Sequence, residues 1–160
     1  MPDATEKVVY YEKRRPTVGR FFVEIEMVNN IDLNLSGAGA LPVEKVRRVK
    51  LRGLVDSGAA RLVVPERVAR ELGLMEASRE VVVSYASGER ARRRMVSNVY
   101  AKVQGRDGVF DAIVEPNRDE ALIGALPLEV FDFLIDCHNQ KLVPRDPDHI
   151  VAELDGFDDE

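Results

Sequence analysis

The tripeptide Asp56-Ser57-Gly58 is the part of the sequence most capable of chemistry. It follows the apolar pair Leu54-Val55 and precedes a second apolar run, Leu62-Val63-Val64. A carboxylate held between two buried segments costs free energy unless it is hydrogen-bonded or has a task such as general acid or base catalysis. The tripeptide alone is weak evidence, because an ordinary Asx-turn also places Asp first and Gly at positive φ.

Composition argues against several other kinds of site. The chain has 160 residues and a net charge of −5, which disfavours nucleic acid as the main partner. A single cysteine, Cys137, allows no intrachain disulfide, and one cysteine with two histidines argues against a structural zinc site. We therefore expect no metal and no other cofactor. No apolar run reaches the length of a membrane span, and residues 1–15 contain no apolar core of a signal peptide. This predicts no membrane partner and a cytoplasmic location.

Alternating apolar and polar residues, with turn signals about every ten residues, predict an all-β barrel or sandwich. The run from Phe21 to Met27 is a good example, since its odd-numbered residues are apolar and fall on one face. Short helices are predicted at Pro65–Leu72 and Leu126–Ile135, and a loop at Asn29–Pro42. The predicted strands, seven or more, span residues 21–28, 43–55, 62–64, 80–85, 94–104, 109–114, 121–124 and 141–144.

Several segments together resemble a known family. Leu54–Ala59 looks like the active-site loop of the retropepsin-like (retroviral-type) aspartic proteases. Ala121–Gly124, followed by a helix, looks like that family's second signature, in which an apolar pair and a glycine pack behind the loop. Between them, Val83–Glu89 occupies the place of the flap hairpin, and Leu134–Pro144 resembles bacterial single-domain members. The resemblance covers roughly residues 18–146, which is most of the chain.

The resemblance implies an all-β fold, a closed acid-protease (retropepsin-like) barrel with two short helices. It implies a protease domain at residues 18–146, with an N-terminal tail or edge strand at 1–17 and an acidic C-terminal tail at 147–160. It also implies an aspartic endopeptidase that acts on polypeptides without a cofactor.

The chemistry of this family explains why such a domain must pair. Aspartic proteases hold two carboxylates across one water, and the two share a proton because both cannot easily ionise at close range. One carboxylate takes a proton from the attacking water while the other donates to the peptide carbonyl. This chain has a single Asp-Ser/Thr-Gly tripeptide. The second carboxylate is therefore expected from Asp56 of a second copy, in a two-fold homodimer.

The resemblance also assigns roles to matching residues. Asp56 is the catalytic acid or base, and Gly58 allows a tight turn and close approach of the substrate backbone. Ser57 is expected to form a hydrogen bond across the dimer axis. Tyr85 and Gly88 are expected in the flap that covers the substrate. The remaining members of the predicted site are Ala59 in the active-site loop, Ser87 in the flap and Gly124 as a structural residue.

The sequence departs from the viral pattern at one pair of positions. Viral members carry an Arg after the second-signature glycine and an acidic residue two positions after the active-site glycine, and these two side chains pair. Ala125 and Ala60 stand at those places here, so both partners are absent together. Arg61 lies next to the loop and is a candidate for a different pairing. The departure puts the geometry of the dimer interface in doubt and leaves the assignment of Asp56 unaffected.

Two alternatives remain open on the sequence alone. The first is a non-catalytic retropepsin-fold module that dimerises or binds peptides, which the missing pair at Ala60 and Ala125 favours. The second is an unrelated small β-barrel binding module in which Asp56-Ser57-Gly58 is a plain turn. In that case the basic segment Arg90–Arg94 would contact an acidic partner.

Overall fold

A computed structural model describes residues 20–154 of the chain. The strands are β1 Phe21–Asn29, β2 Arg48–Val55, β3 Leu62–Pro65, β4 Glu76–Ser84, β5 Arg90–Val103, β6 Arg106–Glu115, β7 Ala121–Ile123, β8 Phe133–Asp136 and β9 Lys141–Pro144. Six of them close into a barrel in the order β1-β2-β7-β3-β6-β5, because β5 also pairs with β1. Strand β4 extends from β5 as a hairpin, and β8 pairs with β9 in a separate two-stranded sheet. The predicted all-β acid-protease barrel is therefore confirmed.

The barrel has one apolar interior, formed by the inward faces of its strands. The predicted face of β1 is correct, since Phe21, Ile25 and Met27 are buried and Val23 packs against them. At one end of the core, the ring of Phe131 meets Phe110 edge-on, with 5.5 Å between ring centroids. Burial of these side chains supplies most of the stabilisation and fixes the strand register around the site.

In the described part of the chain three α-helices connect the strands, one more than predicted: α1 Asn30–Gly37, α2 Glu66–Leu72 and α3 Ala125–Phe131. The prediction of a loop over residues 29–42 was therefore wrong. Helix α1 forms because the side chain of Asn29 accepts a hydrogen bond from the backbone N–H of Asp32 at 3.0 Å. The Asp32 carboxylate in turn accepts two hydrogen bonds from the guanidinium of Arg47, at 2.8 and 3.0 Å. That contact joins the helix to the start of β2.

The predicted helix at residues 126–135 was too long. Helix α3 ends at Phe131 because Asp132 adopts a left-handed conformation, with φ of 62°. The Asp132 side chain accepts hydrogen bonds from Arg145 and from the backbone N–H of Val151, which fixes the turn into β8. The predicted strand at 43–55 was also too long, since Val43–Lys45 is a 3-10 turn.

Two further predictions concern the ends of the chain and membrane contact. The predicted N-terminal tail or edge strand at residues 1–17 lies outside the described residues, and the domain boundary at residue 146 stays a prediction. Across residues 20–154, no helix has both the length and the apolar character needed to cross a membrane.

Candidate active site

Asp56 lies where β2 ends, on a short loop that is hydrogen-bonded to strand β7 of the barrel. Its backbone N–H donates to the carbonyl of Ile123 in β7 at 3.1 Å, and its carbonyl accepts from the N–H of Ala59 at 3.1 Å. The Oδ1 atom of its carboxylate accepts from the N–H of Gly58 at 3.0 Å. The Asp56 side chain is only 13% exposed. These contacts fix the position of the carboxylate, whose second oxygen, Oδ2, has a different partner.

That partner is Arg20, whose Nη2 lies 3.1 Å from Oδ2 of Asp56. The sequence analysis missed this residue because it depends on strand register. Strands β1 and β2 are antiparallel with Phe21 opposite Val55, so the residue before Phe21 comes opposite Asp56. The Arg20 side chain is 43% exposed, so it can leave the carboxylate without unpacking the core.

Gly124 lies directly behind the active-site loop. Its N–H donates to the carbonyl of Arg61 at 3.2 Å, and the next two amides donate to Ala59 and Ala60, each at 2.8 Å. A Cβ atom at position 124 would lie 2.5 Å from the Arg61 carbonyl oxygen, so a side chain does not fit there. Backbone hydrogen bonds thus join the loop to α3 at the positions where viral members have the missing side-chain pair.

The hairpin of β4 and β5 has a turn that spans residues 85–89. Tyr85 N–H donates to the carbonyl of Glu89, and Gly88 N–H donates to the carbonyl of Tyr85, both at 2.9 Å. Gly88 has φ of 89°, which favours glycine, and the Ser87 hydroxyl accepts from the Glu89 N–H. Both strands of the hairpin begin four residues earlier than predicted, at Glu76 and Arg90.

Tyr85, the first residue of this turn, anchors the hairpin to the barrel. Its hydroxyl donates to Oε2 of Glu115 at 2.6 Å, and Arg93 donates to the other carboxylate oxygen. The hydrogen bond to Glu115, followed by burial, raises the pKa of Tyr85. Glu115 is a residue that the sequence analysis missed, because its two partners come from the hairpin, 30 and 22 residues away in the chain.

A cleft of about 750 Å³ opens between the loop and the hairpin. Of the predicted site residues, Asp56, Gly58, Ala59 and Tyr85 line it together. The tip residues Ser87 and Gly88 are not part of its lining, and Gly124 lies behind its floor. Ser57 is exposed and lines a separate groove of about 950 Å³ beside α3, on the other side of the loop.

The cleft walls are mostly aliphatic, with a few charged groups. The described part of the chain contains no cluster of three or more His, Cys, Asp or Glu side chains placed to hold a metal ion. The aliphatic residues come from four segments of the barrel and from β4. They are Leu54, Val63, Val81, Val82, Val83, Ile113 and Leu122. An apolar cleft with a carboxylate fixed at its floor suits a ligand that has mostly apolar groups and a few polar ones.

Comparison with known proteins identifies a family but no individual relative. No curated protein matches the chain. A family model described as aspartyl protease matches residues 43–125, which include the active-site loop, the hairpin and Gly124. That span is more than half of the sequence and supports aspartic protease activity in general. The chain belongs to the aspartyl protease family, in agreement with the barrel and with the resemblance to retropepsin-like members.

Proposed function

We propose that this protein is an aspartic endopeptidase that works as a homodimer, with Asp56 of each copy facing the other across one water molecule. The observation that carries the proposal is the fixed position of Asp56 at the floor of the cleft. Its Oδ1 is held by the N–H of Gly58, while Oδ2 contacts only the partly exposed Arg20 among residues 20–154. A polypeptide substrate and the expected cytoplasmic location belong to this proposal.

A single copy lacks the second carboxylate that the chemistry needs. In the described part of the chain, the carboxylates that line the cleft are those of Asp56 and Glu115. Both carboxylate oxygens of Glu115 accept hydrogen bonds, one from Tyr85 and one from Arg93, so Glu115 serves the barrel rather than the reaction. A second Asp56 related by two-fold symmetry supplies the missing group.

The paired carboxylates would divide the catalytic work. Two carboxyl groups at close range cannot both ionise easily, so the pair retains one proton. The ionised carboxylate takes a proton from water as the water attacks the peptide carbonyl, and the protonated one donates to the carbonyl oxygen. Arg20 must leave Oδ2 for this sharing to occur, and its exposure permits the movement.

The surface beside Ser57 supports the two-fold arrangement. Ser57 is exposed at the edge of a groove that also includes Leu126, Val130 and Leu134. These three aliphatic side chains are 47–53% exposed. A two-fold axis close to the active-site loop would bury this face against its own copy. The peptide would lie between the loop and the hairpin as an added strand, held by main-chain hydrogen bonds.

The test compares wild type with Asp56→Asn in the cleavage of an unfolded protein, followed by mass spectrometry of the fragments. The substitution keeps the shape of the side chain and removes its ability to take a proton. We expect a loss of at least about a thousandfold, since a shared-proton mechanism cannot proceed through an amide. Sedimentation of both proteins should show dimers. Equal cleavage by both variants would contradict the proposal.

A non-catalytic peptide-binding module is the second candidate, and the ion pair between Arg20 and Asp56 favours it. If this pair is permanent, it occupies the carboxylate and prevents sharing of a proton. Substitution Arg20→Ala distinguishes the two candidates. The endopeptidase proposal predicts that wild type cleaves unfolded protein and that Arg20→Ala still does. A permanent ion pair predicts no cleavage by wild type and a gain of cleavage in Arg20→Ala.

A further inference from the structure

The cleft carries an excess of positive charge, although the whole chain has a net charge of −5. Three arginines line it: Arg20, Arg61 and Arg118. The carboxylates that line it, within residues 20–154, are Asp56 and Glu115. The local balance is therefore opposite in sign to that of the protein as a whole. Such a balance at a binding cleft attracts ligands of the opposite charge.

Two of these arginines have no acidic partner among residues 20–154. Arg20 pairs with Asp56, and Glu115 pairs with Arg93 from the hairpin. For Arg61 and Arg118, no carboxylate lies within 4.0 Å in the part of the chain that the structure describes. The one side-chain hydrogen bond of Arg118 goes from Nε to the backbone carbonyl of Glu120, at 3.3 Å.

The surroundings make these unpaired charges informative. Arg61 and Arg118 are both partly buried residues, and neither gains an ion pair among the residues that the structure describes. The nearest acidic side chains in sequence to Arg118, Asp119 and Glu120, are not part of the cleft lining. A carboxylate supplied by a ligand would restore a charge-assisted hydrogen bond to each arginine.

The two arginines come from different segments around the aliphatic floor. Arg61 follows the active-site loop, and Arg118 lies in the connection between β6 and β7. Leu54, Ile113 and Leu122 belong to the apolar part of the same cleft. The cleft therefore combines an apolar region with two cationic positions, which calls for a ligand that has apolar and acidic side chains close together.

We propose that the cleft selects acidic peptides, in which Asp or Glu residues flank a pair of apolar residues, and that Arg61 and Arg118 determine this specificity. The inference rests on the proposed function, because it places the peptide bond at Asp56. Two-fold pairing would present each arginine twice, once on each side of the cleaved bond. The preferred sequence therefore has acidic residues on both sides of the apolar pair.

The test measures binding separately from cleavage, using the full-length protein. The probe is a fluorescent peptide with a central Leu-Phe pair flanked by Glu on both sides, with a hydroxyethylene group replacing the bond between Leu and Phe. A second probe has Gln at every Glu position. Anisotropy titration should give a dissociation constant about tenfold lower for the Glu probe, and the difference should shrink as NaCl rises from about 50 mM to about 500 mM.

Charge-removing variants assign the preference to the two arginines. Arg61→Gln and Arg118→Gln should each reduce the preference for Glu over Gln about threefold, and the double variant should abolish it. Arg48→Gln is the matched control, because Arg48 is exposed at the start of β2 and outside the cleft lining. Circular dichroism and thermal melts check that all variants remain folded.

The outcomes separate this inference from the proposed endopeptidase activity. Equal binding of the two probes, failure of the Glu probe to bind, or a preference unchanged in the double variant would overturn the inference. A preference that disappears in the double variant supports it, even if the matching peptide with a normal bond is never cleaved. Absence of cleavage would refute only the proposed endopeptidase activity. Efficient cleavage with equal rates for Glu and Gln peptides would refute the inference and leave the endopeptidase intact.

Discussion

The substitution Gly124→Ala adds a single methyl group and should strongly disturb the active-site loop. The added Cβ would lie 2.5 Å from the Arg61 carbonyl oxygen and 2.7 Å from two other backbone atoms, whereas ordinary contact begins at 3.4 Å. The loop must therefore retreat by about 0.9 Å, the difference between 3.4 and 2.5 Å. The backbone atoms at this position cannot rotate away as a side chain can. We therefore expect the free energy of unfolding to fall by about 3 kcal/mol, the upper end of the cost of overpacking.

Urea denaturation followed by circular dichroism measures this loss, and a thermal melt should show a midpoint lowered by about 10 °C. Gly37→Ala is the matched control, since no atom lies within 4 Å of the Cβ position there, and its stability should change by less than about 0.5 kcal/mol. A displacement near 1 Å should also lower cleavage about a hundredfold. If Gly124→Ala is as stable as Gly37→Ala, the described contact between Gly124 and the loop is incorrect.

Three further predictions concern stability, pH and the hairpin. Hydrogen bonds from Arg47 lower the pKa of Asp32, so the stability from this pair is present above the unfolded value of 3.8 and is lost as pH falls through the folded pKa. Asp32→Asn should lower the free energy of unfolding by about 2 kcal/mol at neutral pH. Urea titrations of this variant should also show a smaller loss of stability at acid pH than wild type, and an unchanged loss would contradict the assignment. Tyr85→Phe should remove the hydrogen bond to Glu115 and speed amide exchange in the 85–89 turn about fivefold, and unchanged exchange would show that the hydroxyl does not anchor the hairpin. Burial raises the pKa of Tyr100 to about 12. The stability that the un-ionised Tyr100 side chain contributes is therefore present below pH 10 and is lost as pH rises toward 12. An ultraviolet titration should show a tyrosine that ionises near pH 12 and is absent from Tyr100→Phe, and its persistence in that variant would refute the assignment.

Local patterns in the sequence were enough to predict much of the barrel. Alternation along Phe21–Asn29 identified the buried face of β1, and Lys141–Pro144 was predicted with its observed bounds. The same local logic pointed to Asp56, because an apolar strand leads directly into it. Gly124 was found because an apolar pair and a glycine before a helix form a recognisable pattern.

Features that depend on register or on distant partners were not predicted. Arg20 reaches Asp56 only because β1 and β2 align Phe21 with Val55, and no local pattern reveals that alignment. Glu115 joins Tyr85 and Arg93 across the cleft, so its role exists only after the hairpin has folded over the barrel.

Helix α1 was missed although its signal was present in the sequence. Asn29 followed by Asp32 is a recognisable helix start, but Ser36, Gly37 and Gly39 favoured a loop. The end of α3 was misplaced because the left-handed turn at Asp132 depends on Arg145 and Val151, which come later in the chain.

Mixing wild-type and Asp56→Asn chains tests the central claim, that two copies of Asp56 form one active site. The two proteins are refolded together at a fixed total concentration, and cleavage of unfolded protein is measured as the wild-type fraction varies. If only wild-type pairs are active, the rate falls as the square of that fraction, to about one quarter in an equal mixture. A linear fall, to about one half, would show that each chain acts alone and would contradict the account.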